Sequence, residues 1–249
     1  MATDTANDTL EQAIAAYENA MDANGRDVRV SRFSRAEQLF RQAIEEEPEN
    51  AVPSSDLYLN LGNSALQAEH LGVAVAAFRQ ALALEPNHPR ASQNLNYARN
   101  VLPDWVRPDA SSELTETLFF WKAFLPTLKI RLLAALAFVA TTILLLLWLA
   151  TGKSIWRNLA PLPAAVWLIL LASVTGFAGG KSLEAVIVAG DTILYSADSA
   201  NSSPRMSQPL PDGTEVVVIT ELDRWCEIQL GSRSGWVRRS ALQFLDSPS

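Results

Sequence analysis

Three hydrophobic patterns follow one another along the chain. Up to about residue 101, apolar side chains recur every three or four positions, the period of amphipathic helices. Residues 132–150 are apolar on every side: nineteen positions without a charge, eleven of them Leu, Ile, Val or Phe. A second uncharged run covers 158–180, with Pro161 and Pro163 where a first helical turn tolerates proline. After Lys181 the period falls towards two. Residues 185–188, 192–195, 215–219 and 224–230 read as short strands, Asp212-Gly213 and 231–235 as turns, and Trp236, Val237 and Leu242 as the closing strands.

The two apolar runs are long enough to cross a bilayer, which takes roughly 20 helical residues. A helix apolar all round makes a poor surface helix of a soluble protein. The connection at 153–159 is short, so the spans are expected to form an antiparallel hairpin with both flanking parts on one side. Lys122, Lys129, Arg131 and Lys181 flank the hairpin, against Lys153 and Arg157 in its loop. That bias favours cytoplasmic ends. Residues 1–21 show neither a basic start nor an apolar stretch of the secretory kind. An upstream signal would reverse the placement and make it periplasmic. Residues 114–128 carry Leu118, Phe119, Phe120, Trp121, Phe124 and Leu125. They suit an interfacial helix before the first span, or equally a linker docking on the N-terminal part.

Charge sharpens this division. The 249 residues are 49% hydrophobic and 19% charged, below the about 25% charge of an average soluble domain. Residues 1–127 hold 18 acidic and 10 basic side chains, 128–181 hold five basic and no acidic ones, and 182–249 hold nine acidic and five basic. Two acidic parts thus flank a basic, apolar middle. The net charge of −7 argues against a nucleic-acid binder. One cysteine, Cys226, excludes an internal disulfide framework; a buried, inert thiol is expected. His70 and His88 are the sole histidines and are expected to be solvated at turns. No metal site, cofactor site or catalytic residue is read, and the phosphate-loop, zinc-protease and nucleophile-elbow motifs are missing from the sequence.

The N-terminal part contains a repeat. From Ser55, Tyr58, Leu61-Gly62, Ala65, Ala74, Phe78, Ala81 and Pro86 stand at positions 4, 7–8, 11, 20, 24, 27 and 32. This resembles a 34-residue tetratricopeptide (TPR) unit. Small residues let two helices approach, large ones fill the space between them, and Pro86 stops the second helix. Ala36, Phe40, Ala43 and Pro48 repeat the pattern 38 residues earlier. That unit's first helix is expected over about 10–22, with Ile14, Tyr17 and Met21 on one face, and 23–30 as a long insertion. Residues 88–101 form a capping helix facing in through Leu95 and Ala98. The first helices offer Asn60, Asn63, Arg90 and Asn94 to a groove. They suit a peptide carboxylate by amide and guanidinium donors, or they are ordinary solvated polar residues.

The C-terminal part resembles bacterial SH3-like (SH3b) domains at 210–216 (LPDGTEV), at Trp225 and at Gly235-Trp236-Val237. The resemblance implies a small β barrel with a peptide groove at Tyr195, Trp225 and Trp236; both tryptophans equally suit a barrel core. The reading is therefore multidomain: TPR-like repeats with a capping helix at 1–101, a linker or interfacial helix at 102–128, transmembrane helices at 129–152 and 159–180, and an SH3-like barrel at 182–247. The glycines at 176 and 180 suit span packing.

This domain order, with Phe119-Phe120-Trp121-Lys122 and the 58–63 segment, resembles the BatE component of bacterial Bat (aerotolerance) operons. The resemblance implies a bacterial inner-membrane protein in envelope stress or assembly, without catalysis. It implies partners among von Willebrand A-type membrane proteins and a MoxR-type AAA ATPase. The expected function is a two-pass, membrane-anchored adaptor in contact with the lipid bilayer. The alternative is a cell-wall sensor whose SH3b domain binds peptidoglycan peptides.

Overall fold

The computed structural model describes residues 2–48, 53–107, 127–174 and 183–245. It divides into two units, Met1–Arg107 with Leu183–Ser249, and Pro108–Ser182.

The first unit opens with five helices: α1 (Ala2–Met21), α2 (Arg26–Glu45), α3 (Ser55–Gln67), α4 (Leu71–Leu84) and α5 (Pro89–Val101). Local chemistry sets their ends. The Leu57 N–H donates to Ser54 Oγ at 3.1 Å, capping α3, and Asp56 lies in the first turn. Glu69 turns the chain between α3 and α4 at φ 65°. Its carboxylate takes both Arg26 Nε (3.0 Å) and Nη2 (2.6 Å), so the ion pair ties the turn to α2. Small faces meet large ones. A Cβ at Gly62 would stand 2.5 Å from the Phe78 ring, so glycine lets α3 and α4 close together.

The first helix pair differs from its expected form. α1 begins at Ala2, and α2 begins at Arg26, so the 23–30 insertion shrinks to a turn ending at Gly25 (φ 93°). Ala6, Ala13 and Ala20 form the buried face of α1; Ile14 and Met21 are exposed and Tyr17 is half-buried. Seven-residue spacing of alanine sets that close contact, and the Tyr17 ring packs edge to face on Phe33 of α2, centroids 5.2 Å apart.

The same unit holds β1 (Leu183–Ile187), β2 (Glu215–Glu221), β3 (Trp225–Leu230), β4 (Arg233–Arg238) and β5 (Leu242–Phe244). The sheet is antiparallel, in the order β4-β3-β2-β1-β5, with a register shift between Val218 and Thr220. It is not closed: β4 and β5 remain its two edges among the described residues. Thr192 and Tyr195 make isolated bridges, to Leu210 and to Pro204 and Trp236, instead of a full strand. The turn at Gly231 (φ 56°) is shorter than the 231–235 reading, because β4 already starts at Arg233.

The helices and sheet share their cores. Val186 and Leu245 lie in the helical cluster with Leu59, Val75 and Phe78. Leu102, before a 3-10 turn that follows α5, and Val106, within it, lie in the sheet cluster with Ile187, Leu194, Leu210 and Ile228.

The second unit contains α6 (Thr127–Thr151), α7 (Ser154–Leu159) and α8 (Pro161–Val174). The helix turn is at Gly152 (φ 66°), and the 153–159 loop of the sequence reading is mostly helical. Segments Leu128–Thr151 and Ser154–Ala172 are long and apolar enough to cross a membrane by length and composition. Three threonine hydroxyls of α6 are answered locally. Thr141, Thr142 and Thr151 donate to the carbonyls four residues back, at 2.8, 3.0 and 2.6 Å. Phe138 and Trp167 join α6 to α8 with ring centroids 5.3 Å apart. The expected interfacial segment falls largely within 108–126, outside the described residues, as do the glycines at 176 and 180.

Candidate interaction surfaces

Two surfaces collect the polar and aromatic side chains singled out in the sequence. On the helices, α3 and α5 bring Asn63 and Asn94 together: Asn94 Nδ2 donates to Asn63 Oδ1 at 2.7 Å. This bond aligns the two first helices of consecutive units. It leaves the Asn63 amide N–H2 and the Asn94 carbonyl as a donor and an acceptor, both half-buried. Asn60 is half-buried one turn earlier on α3, and Arg90 is exposed at the start of α5. No hydrogen bond or ion pair joins either to the Asn63–Asn94 pair among the described residues.

His88 departs from its solvated expectation. It is 7% exposed and caps α5. Nδ1 accepts the Ala91 N–H at 3.4 Å, which assigns the proton to Nε2, and Nε2 faces Asp56 Oδ1 at 3.2 Å. The imidazole thus links α3 to α5. Its place just before Pro89, at N-cap, was the available sequence signal. His70 keeps a half-exposed side chain but is also engaged: Nδ1 lies 2.5 Å from Glu37 Oε2, and Arg41 Nη2 donates to Glu37 Oε1 at 2.6 Å. Glu37 is nearly buried (3% exposed). A buried carboxylate needs such partners.

On the sheet, Tyr195, Trp225 and Trp236 come together, all half-buried. The Tyr195 and Trp225 rings meet edge to face, 5.4 Å apart at 90°. Tyr195 and Trp236 exchange backbone hydrogen bonds at 2.8 and 2.9 Å. The Arg238 guanidinium sits 5.0 Å from the Trp225 ring centre. Strand register explains the exposure. Trp225 pairs with Arg238 and Glu227 with Trp236, whereas Cys226, Ile228 and Val237 point into the core. Alternation excludes both tryptophans from that core. Cys226 is fully buried, and burial pushes its thiol above the usual range, with Glu221 adding to the shift and Arg239 opposing it.

Comparison with known proteins agrees with the helical part. Residues 55–88 match the tetratricopeptide repeat family model. They are α3, α4 and the His88 cap. No curated protein and no solved structure matches the chain. A TPR unit, two apolar helices capable of spanning a membrane and a C-terminal antiparallel sheet thus stand together in one chain, and the TPR match points to a role in protein–protein interaction.

Proposed function

We propose that the chain is a non-enzymatic adaptor, anchored in a bacterial inner membrane by α6–α8. The TPR groove takes a protein partner, and the sheet, as an SH3-like (SH3b) fold, takes a peptide. The TPR match at 55–88 carries this reading, supported by the polar face of Asn60, Asn63, Arg90 and Asn94. The BatE-like domain order extends it to a Bat system, with von Willebrand A-type membrane proteins and a MoxR-type ATPase as partners. Both ends lie on the cytoplasmic side in this reading. Affinity capture from detergent extracts tests it, comparing the full chain with a variant carrying alanine at residues 60, 63, 90 and 94. Loss of a defined set of membrane partners is expected. Identical partner lists reject the groove.

The Tyr195–Trp225 pair favours a second reading, in which the sheet binds cell-wall peptides and both ends lie outside. Full-length protein in detergent would then co-sediment with isolated sacculi, and Trp225→Ala would abolish it. No co-sedimentation by the unsubstituted chain ends that reading.

A further inference from the structure

We infer that residues 183–245 are the second half of one obligate domain, rather than a module of their own. Their partner is the outer side of α4, α5 and the 102–106 segment of the same chain. The stretch 108–182, with its apolar helices, is then an insertion between two halves that must find each other.

Three independent observations carry this. The first is apolar. β1 is buried on both faces: Ala185 and Ile187 enter the sheet core, while Val186 enters the helical core. Its continuous run Ala185-Val186-Ile187-Val188 is what a strand covered on both sides requires. In exchange, the helical arm sends Leu102 (2% exposed) and Val106 (1%) into the sheet core. Separation would open a hole in the sheet and bare Val186 and Leu245.

The second is ionic. Glu215, with its side chain 14% exposed, takes Arg99 Nε and Nη2 at 2.7 and 2.9 Å. Arg79 lies 3.5 Å from the same carboxylate and also pairs with Glu184. Removing the arginines leaves a mostly buried carboxylate uncompensated, the costly way to break such a pair.

The third is steric. A Cβ at Gly72 on α4 would stand 2.4 Å from the Ile187 carbonyl oxygen and 2.7 Å from Val188 Cα. The Gly72 N–H donates to Asp212 Oδ2 at 3.2 Å. Backbone meets backbone here, which is closer than a side-chain contact between independent modules.

Two consequences follow. An even number of membrane crossings between residues 107 and 183 is required, whatever the flanking charges, because neither core closes until both halves share a compartment. The sheet-facing side of α4 is already occupied, so it is closed to outside partners of the repeat, while the face formed by α1, α3 and α5 stays open to them.

Cys226 is a natural reporter. It is the chain's one cysteine and lies fully buried in the sheet core. Its labelling by a maleimide therefore reads opening of the sheet. The experiment uses the full chain in detergent, with substitutions placed only in the N-terminal arm. Val106→Asp, Arg99→Glu and Gly72→Ala are each expected to speed labelling at least tenfold. Glu11→Ala, exposed on α1, is expected to leave the rate unchanged. Where these variants fail to accumulate, Arg99→Gln and Val106→Ala are labelled at stepped temperatures, and acceleration is expected in both. Labelling at the unsubstituted rate in all the seam variants overturns the inference, because the sheet then stands without the helical arm.

Discussion

Helices α4 and α6 are both built largely from Leu, Val and Ala, yet they meet opposite surroundings. α4 is 14 residues long, and Gly72, Ala74, Val75, Ala76, Ala77, Phe78 and Ala81 are all buried. α3 and α5 cover it, and β1 and β5 cover its outer side. α6 is 25 residues long and leaves Leu132, Leu136, Phe138, Leu146 and Leu149 exposed. At about 1.5 Å per residue, α4 spans roughly 21 Å and α6 roughly 37 Å; a bilayer core is about 30 Å thick. Apolar composition alone does not separate the two. Length and small residues do: alanine and glycine let neighbouring backbones approach α4, while the leucines of α6 stay exposed along a length that matches a bilayer core.

Substitutions in the two helices should therefore fail differently. The largest effect is expected at Phe78, which is fully buried between α3 and α4. Phe78→Ala should lower unfolding stability by about 3–5 kcal/mol, read by thermal denaturation of the full chain in detergent. Leu136→Ala, at a 65% exposed position, should leave that unfolding unchanged. Leu136→Arg should instead penalise insertion, by about 2.5–3.5 kcal/mol on insertion scales, measured as the carbonate-resistant fraction in membranes. An Arg variant that inserts like the parent would break the contrast from the other side.

Gly62→Ala sharpens it further. The added methyl meets the Phe78 ring, so overpacking of about 1–3 kcal/mol is expected; a neutral result would mean that α3 and α4 are looser than the contact implies. The smallest effect is acid dependence at the first helix pair. Thr9 Oγ1 donates to Glu46 at 2.6 Å, and Gln42 donates to its other oxygen at 2.7 Å. These bonds hold the Glu46 carboxyl below its ordinary value of 4.5. A lowered folded-state pKa stabilises above the unfolded value and is lost as pH falls through the folded one. Protection of the α1 amides against hydrogen exchange should weaken as pH drops below about 4.5, and Glu46→Gln should flatten that dependence.

The repeat was legible because its constraints are local. Tyr58, Gly62, Phe78 and Pro86 each answer to a neighbour within the same 34 residues, so spacing alone exposes them. The apolar helices were legible for the same reason. The seam was not. Arg79 and Arg99 find Glu184 and Glu215 across more than 100 residues of chain, and no periodicity marks such pairs. Leu102 and Val106 follow a helix that had already been closed in the reading, and they look like the start of a linker. One signal was present: the unbroken 185–188 run fits a strand covered on both faces better than the half-solvated strand that alternation suggests. On the candidate surfaces, types and strand parity were readable, and register then put the tryptophans outside the sheet core. That Asn63 and Asn94 bond each other depends on how consecutive units stack, which one repeat cannot specify.

The contrast between a helix buried by protein and apolar helices left exposed by it is tested most directly by photolabelling membranes with a carbene-generating lipid and mapping the modified residues by mass spectrometry. Label is expected within 128–172 and none within 71–84. Label on 71–84, or an unmodified 128–172 segment, would contradict the account.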